Sequence, residues 1–158
     1  MINGFSSTFL IFALAAQPAA AAFDVNEIAL GASEYEIKAK FPQANCRELE
    51  WPSRAADRRC DDSRMKMAGI DASVTFYLRK DAVEGFDVRF DKGNVERMSK
   101  FLVERYGKPA SEKTGALGAT LEWRANTERA RLSAEQGRRR ASLLVWRGAF
   151  EAELYRIR

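Results

Sequence analysis

The sequence predicts an α+β domain: an antiparallel sheet of about five strands with two helices packed on one face, in the order helix, hairpin, helix, three strands. A capping box, two neighbouring runs of alternating residues, and an amphipathic stripe with signals at both ends carry that reading.

Ser33-Glu34-Tyr35-Glu36 is the capping box. Ser33 can accept from the backbone N–H of Glu36, while the Glu36 side chain reaches back to the N–H of Ser33. Ile37 and Phe41 then fall four apart on one face, and Pro42 ends a short helix. Val74, Phe76 and Leu78 alternate with Thr75, Tyr77 and Arg79; Phe86, Val88 and Phe90 alternate with Asp87 and Arg89. Period-two runs of this kind are strands with one packed face and one wet face. Lys80-Asp81 and Gly85 lie between them, so the pair reads as a hairpin with a longer loop.

Asn94 is placed to cap a second helix, with Val95, Met98, Leu102 and Tyr106 as its buried stripe. Gly107 stands where a left-handed residue closes a helix, and Pro109 prevents continuation. Strands follow at Leu121 and Trp123, Ala130 and Leu132, and Leu143 and Val145, while the last stretch, Phe150 to Ile157, fits either a helix or an edge strand. Leu49-Glu50-Trp51 after the first helix echoes Leu121-Glu122-Trp123 after the second, which suggests half-units at about 23–92 and 93–158.

The N-terminal segment sets the expected compartment. Residues Ile2 to Phe23 carry no charged side chain, Phe9 to Ala16 is an apolar run, Pro18 breaks it, and Ala20-Ala21-Ala22 supplies small residues for a signal peptidase. The expected domains are therefore a signal peptide, 1–22, and a single α+β domain, 23–158, periplasmic or secreted after cleavage near Ala22. An uncleaved anchor is the competing reading, since about 20 apolar residues can span a bilayer. Cys46 and Cys60, the two cysteines of the chain, are most simply a disulfide in an oxidising compartment. Zinc wants four ligands, and the chain has no histidine to join the two sulfurs.

Charge is unevenly placed. Residues 121–158 hold nine Arg against five Glu, which accounts for the whole net charge of +4. Arg138-Arg139-Arg140 follows a turn signal, Gln136-Gly137, between two strand-like runs. Such a basic tip can touch anionic lipid, polysaccharide or an acidic protein, or can simply be a solvated turn.

Leu30-Gly31-Ala32-Ser33 opening a helix that ends at Phe41-Pro42, and Tyr106-Gly107-Lys108-Pro109 closing a helix before a Trp-bearing strand, give the chain a resemblance. It resembles small envelope proteins related to the outer-membrane-assembly lipoprotein BamE/SmpA and the β-lactamase-inhibitor protein, whose units pair helices with a short antiparallel sheet. Lipoprotein members carry a cysteine at the cleavage site. Here that position is Phe23, so the resemblance implies no lipid anchor, and it carries over no functional residue.

The absence of histidine removes Ser-His-Asp and Cys-His nucleophilic sites and His-ligated metals from this chain. Carboxylate-pair chemistry needs no histidine, but the 22 acids are scattered among 26 bases. Tyr77, Tyr35 and Trp51 are candidate recognition aromatics, Tyr77 first because it falls on the wet side of its strand. The expected function is thus an exported, non-enzymatic envelope protein that binds another protein as inhibitor or assembly factor, with Tyr77 and Arg138, Arg139 and Arg140 as binding residues. The alternatives are a small carboxylate-type envelope enzyme, or a binder of anionic surface polymer or lipid through the arginine turn. No catalytic residue, metal, small-molecule cofactor or nucleic-acid partner enters this reading.

Overall fold

A computed structural model describes residues 22–51 and 53–157. The predicted signal peptide, apart from Ala22, lies outside the described residues.

The chain begins with a small antiparallel ribbon, β1 (Asp24–Val25) and β2 (Ile28–Ala29), followed by α1 (Glu34–Lys40). Four strands come next: β3 (Asn45–Glu48), β4 (Arg58–Met67), β5 (Ile70–Arg79) and β6 (Ala82–Asp91). A 3-10 turn at Lys92–Asn94 leads into α2 (Val95–Tyr106). Four more strands, β7 (Ser111–Gly115), β8 (Gly118–Ala125), β9 (Glu128–Glu135) and β10 (Arg140–Arg147), precede α3 (Phe150–Ile157). Strands β3 to β10 form one antiparallel sheet in the order β3-β4-β5-β6-β10-β9-β8-β7.

This corrects the expected architecture. Among the described residues the sheet has eight strands rather than about five, a two-stranded ribbon accompanies it, and there are three short helices rather than two. The missed strands lack the pattern that betrays a strand. β7 reads Ser-Glu-Lys-Thr-Gly and β3 reads Asn-Cys-Arg-Glu; both are edge strands with hardly any apolar side chain. β4 slips register between Asp62 and Met65, so Cys60, Met65 and Met67 never form one regular alternation. Gly115 and Gly118 close the β7–β8 hairpin.

The sheet consists of two meanders, β3 to β6 and β7 to β10, each preceded by a helix and joined where β6 pairs with β10. The Leu-Glu-Trp echo does not follow this symmetry. Leu49 to Trp51 lies in the loop after β3, whereas Leu121 to Trp123 lies inside β8, the second strand of its meander.

The local signals act as physics requires. Ser33 and Glu36 make both halves of the capping box, and Phe41 donates back to the Ile37 carbonyl. Gly107 closes α2 at φ 82°, but Asn94 makes no cap; Asp91 accepts from Gly93 N instead and starts the preceding turn. The β5–β6 hairpin turns on only Lys80-Asp81, with φ of 49° and 60°, the left-handed pair of a type I′ turn. Gly85, read as part of a loop, sits inside β6 opposite Tyr77. An extra residue there, Glu84, shifts the register between Tyr77 and Leu78.

One face of the sheet carries the main core. Phe76, Val88, Met98, Leu102 and Trp123 share it, with Ile37 from α1, so α1 and α2 cover the same side. Their neighbours Thr75, Arg89 and Glu122 lie on the opposite, polar face. The third helix is there as well: Phe150 and Leu154 of α3 cluster with Tyr77, Leu144 and Trp146. Ahead of β1, Phe23 is 3% exposed and its ring meets Tyr106 edge-on at 5.0 Å. The N–H groups of Ala22 and Phe23 both donate to Glu128 Oε2, at 2.9 and 3.2 Å.

Cys46 and Cys60 are bonded to each other, directly opposite across β3 and β4, with Cα atoms 4.0 Å apart. The Glu34 carboxylate approaches both sulfurs. Sulfurs joined in a disulfide offer no thiolate to a metal.

Candidate binding site on the polar face of the sheet

Register places the polar-face side chains in rows across β5, β6, β10, β9 and β8. One row runs Ser73, Arg89, Ser142, Ser133, Thr120. The next runs Thr75, Asp87, Leu144, Arg131, Glu122, and the third Tyr77, Gly85, Trp146, Arg129, Arg124. Helix α3 lies over Gly85 and its neighbours in the third row, and leaves the hydroxyl-bearing row open.

Beside α3 the face sinks into a hollow of about 450 Å³, walled by Leu144, Leu154 and Glu151 and lined by Arg89, Arg131, Arg138, Arg139, Arg140, Ser133 and Ser142. A shallower hollow of about 330 Å³ adjoins it over β4 and β5 and shares Arg89 and Arg140. The β9–β10 hairpin brings the arginine run to the rim, because Arg140 opens β10 directly after the turn at Gly137.

The ionic partners decide which cations are available. Arg131 donates to Glu122 at 2.7 Å, pairs with Glu151 of α3, and lies over the Trp146 ring at 5.0 Å. Burial pushes the Glu122 carboxyl up, but hydrogen bonds and charge from Arg131 and Arg124 outweigh it and hold the group below its ordinary value. Buried Asp87 accepts from Arg89 Nε at 2.9 Å and from Ser142 Oγ at 2.5 Å. Arg138 pairs with Glu135 at the exposed rim. Arg140 donates to Ser73 Oγ and to the Arg89 carbonyl, and Arg139 has no ion pair among the described residues. The hollow therefore holds cationic capacity that its own carboxylates leave unspent.

The anticipated residues thus divide. Arg138, Arg139 and Arg140 gather at one site. Tyr77 is not part of that exposed surface: it is 2% exposed, under Arg59 and against Phe150 at 5.3 Å between ring centroids. Its place on the polar side was legible, but the helix covering it was not. Tyr35 and Trp51, the lesser candidates, are open at 82% and 78%. The sequence reading missed Arg89, Arg131, Ser133 and Ser142 as site residues. Their signal was present in the polar phase of alternating strands, but only strand order brings them together.

No protein-family model matches the chain, and no curated protein matches it in sequence. Among solved structures it is similar to a DUF4309 family protein, YjgB, from Bacillus subtilis subsp. subtilis str. 168. The identity is 12% over 73% of this chain and 78% of that one, with a TM-score of 0.40. A likeness that weak carries no argument about function, and the resemblance to BamE/SmpA and the β-lactamase-inhibitor protein rests on the sequence punctuation alone.

Proposed function

We propose that the chain is an exported, non-enzymatic protein of the cell envelope that acts by binding another envelope protein through the polar face of its sheet. The observation that carries this is the arginine-lined hollow beside α3, where Arg139 has no carboxylate partner among the described residues and apolar side chains form one wall. Arginine forks match carboxylates bidentately, and arginine is enriched at protein interfaces. The Cys46–Cys60 disulfide is compatible with an oxidising compartment. The nearby acids are poorly suited to carboxylate-pair catalysis. Glu122 and Glu151 are tied to Arg131, and Glu122 is held below its ordinary value, the opposite of the raised value a general acid needs.

A photo-crosslinking residue at Ser133, expressed in the native envelope, tests the reading. It should trap a protein, and trapping should be lost when Arg138, Arg139 and Arg140 are all replaced by Ser. Adducts only to lipid or polysaccharide, or no adduct, would overturn it. The first of those outcomes would favour the anionic-surface alternative, which uses the same three arginines.

A further inference from the structure

The protein already holds one acidic, apolar segment on its polar face, and that segment is its own α3. Phe150 fills the space left bare by Gly85 and stacks toward Tyr77, Leu154 joins Leu144 and Trp146, and Glu151 pairs with Arg131. Two kinds of contact hold the helix: apolar side chains in the gap over β6 and β10, and a carboxylate on an arginine. Both kinds continue into the open hollow. Its wall is Leu144 and Leu154, and five arginines and two serines dominate the rest of a lining that also holds Ala141, Glu135 and Glu151, the two acids being paired with Arg138 and Arg131.

From this continuity, and resting on the binding function proposed above, we infer the chemistry of the partner. The hollow receives an acidic segment of the partner protein in which carboxylates flank an aliphatic side chain, held beside α3 as α3 itself is held. Arg139 and Arg140 take the carboxylates, since neither has an acidic partner among the described residues. The aliphatic group covers the wall formed by Leu144 and Leu154. Leu144 and Leu154 line the hollow while 8% and 3% exposed, so an aliphatic side chain laid there completes packing already begun, whereas a hydrated inorganic polyanion meets only the arginines; the mixed lining favours a peptide. Salt should weaken the contact, because rim charges are screened over about 10 Å at 0.1 M ionic strength.

The test uses the processed full-length protein and a fluorescein-labelled synthetic peptide, Leu-Glu-Glu-Leu-Phe-Glu, read by fluorescence anisotropy. The peptide should bind. Binding should fall at least tenfold, about 1.4 kcal/mol, for the Arg139→Ser, Arg140→Ser double variant and for a peptide with Gln in place of each Glu. The double variant should melt with the wild type, which separates lost binding from lost folding. Equal binding by the Gln peptide or the double variant overturns the inference. So does binding of polyphosphate or phosphatidylglycerol vesicles without binding of the peptide. If the peptide fails while Ser133 still traps a protein in an arginine-dependent way, only this inference falls. If trapping fails too, the underlying reading falls with it.

Discussion

The ring of Phe150 occupies the place where a side chain on Gly85 would have to go: a Cβ built there would lie 2.5 Å from Cε1 and 2.6 Å from Cδ1 of that ring. A Cβ does not come so close to non-bonded carbon, and the obstacle is a buried ring rather than a flexible chain end. Gly85→Ala should therefore lift α3 from the sheet, at a cost of about 1–3 kcal/mol typical of overpacking. Trypsin should then cut rapidly at Arg147 and release the C-terminal segment, seen by intact mass. Adding Phe150→Ala should recover part of the lost melting temperature. A Gly85→Ala protein whose C-terminus stays as protected as wild type would contradict the docking of α3.

Phe76 and Thr75 are adjacent on β5 and face opposite ways. Phe76 is fully buried between Phe41 and Phe86, and its removal leaves a cavity. Phe76→Ala should cost roughly 3–5 kcal/mol. Thr75 donates to Asp61 Oδ1 at 2.7 Å, so Thr75→Ala loses one part-buried hydrogen bond, about 0.5–1.5 kcal/mol. Denaturant melts giving the two variants equal stability would mean the β5 register is wrong.

The disulfide closes the loop between β3 and β4, where the chain is otherwise held by short edge pairing. Mass spectrometry of non-reduced, alkylated protein from its native compartment should find neither cysteine alkylated. Replacing both by Ser should lower stability by about 2–4 kcal/mol. Two alkylated thiols in such a sample would remove the bond from the native fold.

Acid should act through Glu122. Its native carboxyl titrates below the ordinary 4.5, so the folded state binds fewer protons than the unfolded chain in that interval. The stabilisation is then complete above 4.5 and is lost as the pH falls through the lower native value. Glu34, held down first by its hydrogen bond from Arg58, acts in the same direction. Melting curves over the acid range should show a shallower loss of stability for Glu122→Gln than for wild type. Superimposable pH profiles would mean that the Arg131 pair contributes no pH dependence.

Much of the half built on strong periodicity was legible. The capping box, the Met98 and Leu102 stripe, the Gly107 stop and the alternation around Phe76, Val88 and Trp123 are short-range signals, and each acts where local physics places it. The edge strands were not legible, because β3 and β7 bury almost nothing and so need no apolar phase. β4 was hidden by its register shift. Arg138 to Arg140 could be singled out as a charge run. Arg89 and Arg131 could not be joined to them, because the pairing of β6 with β10 is a long-range event that no local pattern encodes. Tyr77 failed for a related reason: its strand phase was right, but the helix that covers it comes from about seventy residues downstream, and the sequence offered only an ambiguous final segment.

Phe23 ties the start of the described chain to a carboxylate on β9. Its ring is packed under Tyr106, and its N–H points at Glu128, a residue of β9. Were the chain cut after Ala22, where the sequence places small residues, Phe23 would become its first residue. That cut would place an ammonium group beside the Glu128 carboxylate, exchanging a neutral donor for a charged one.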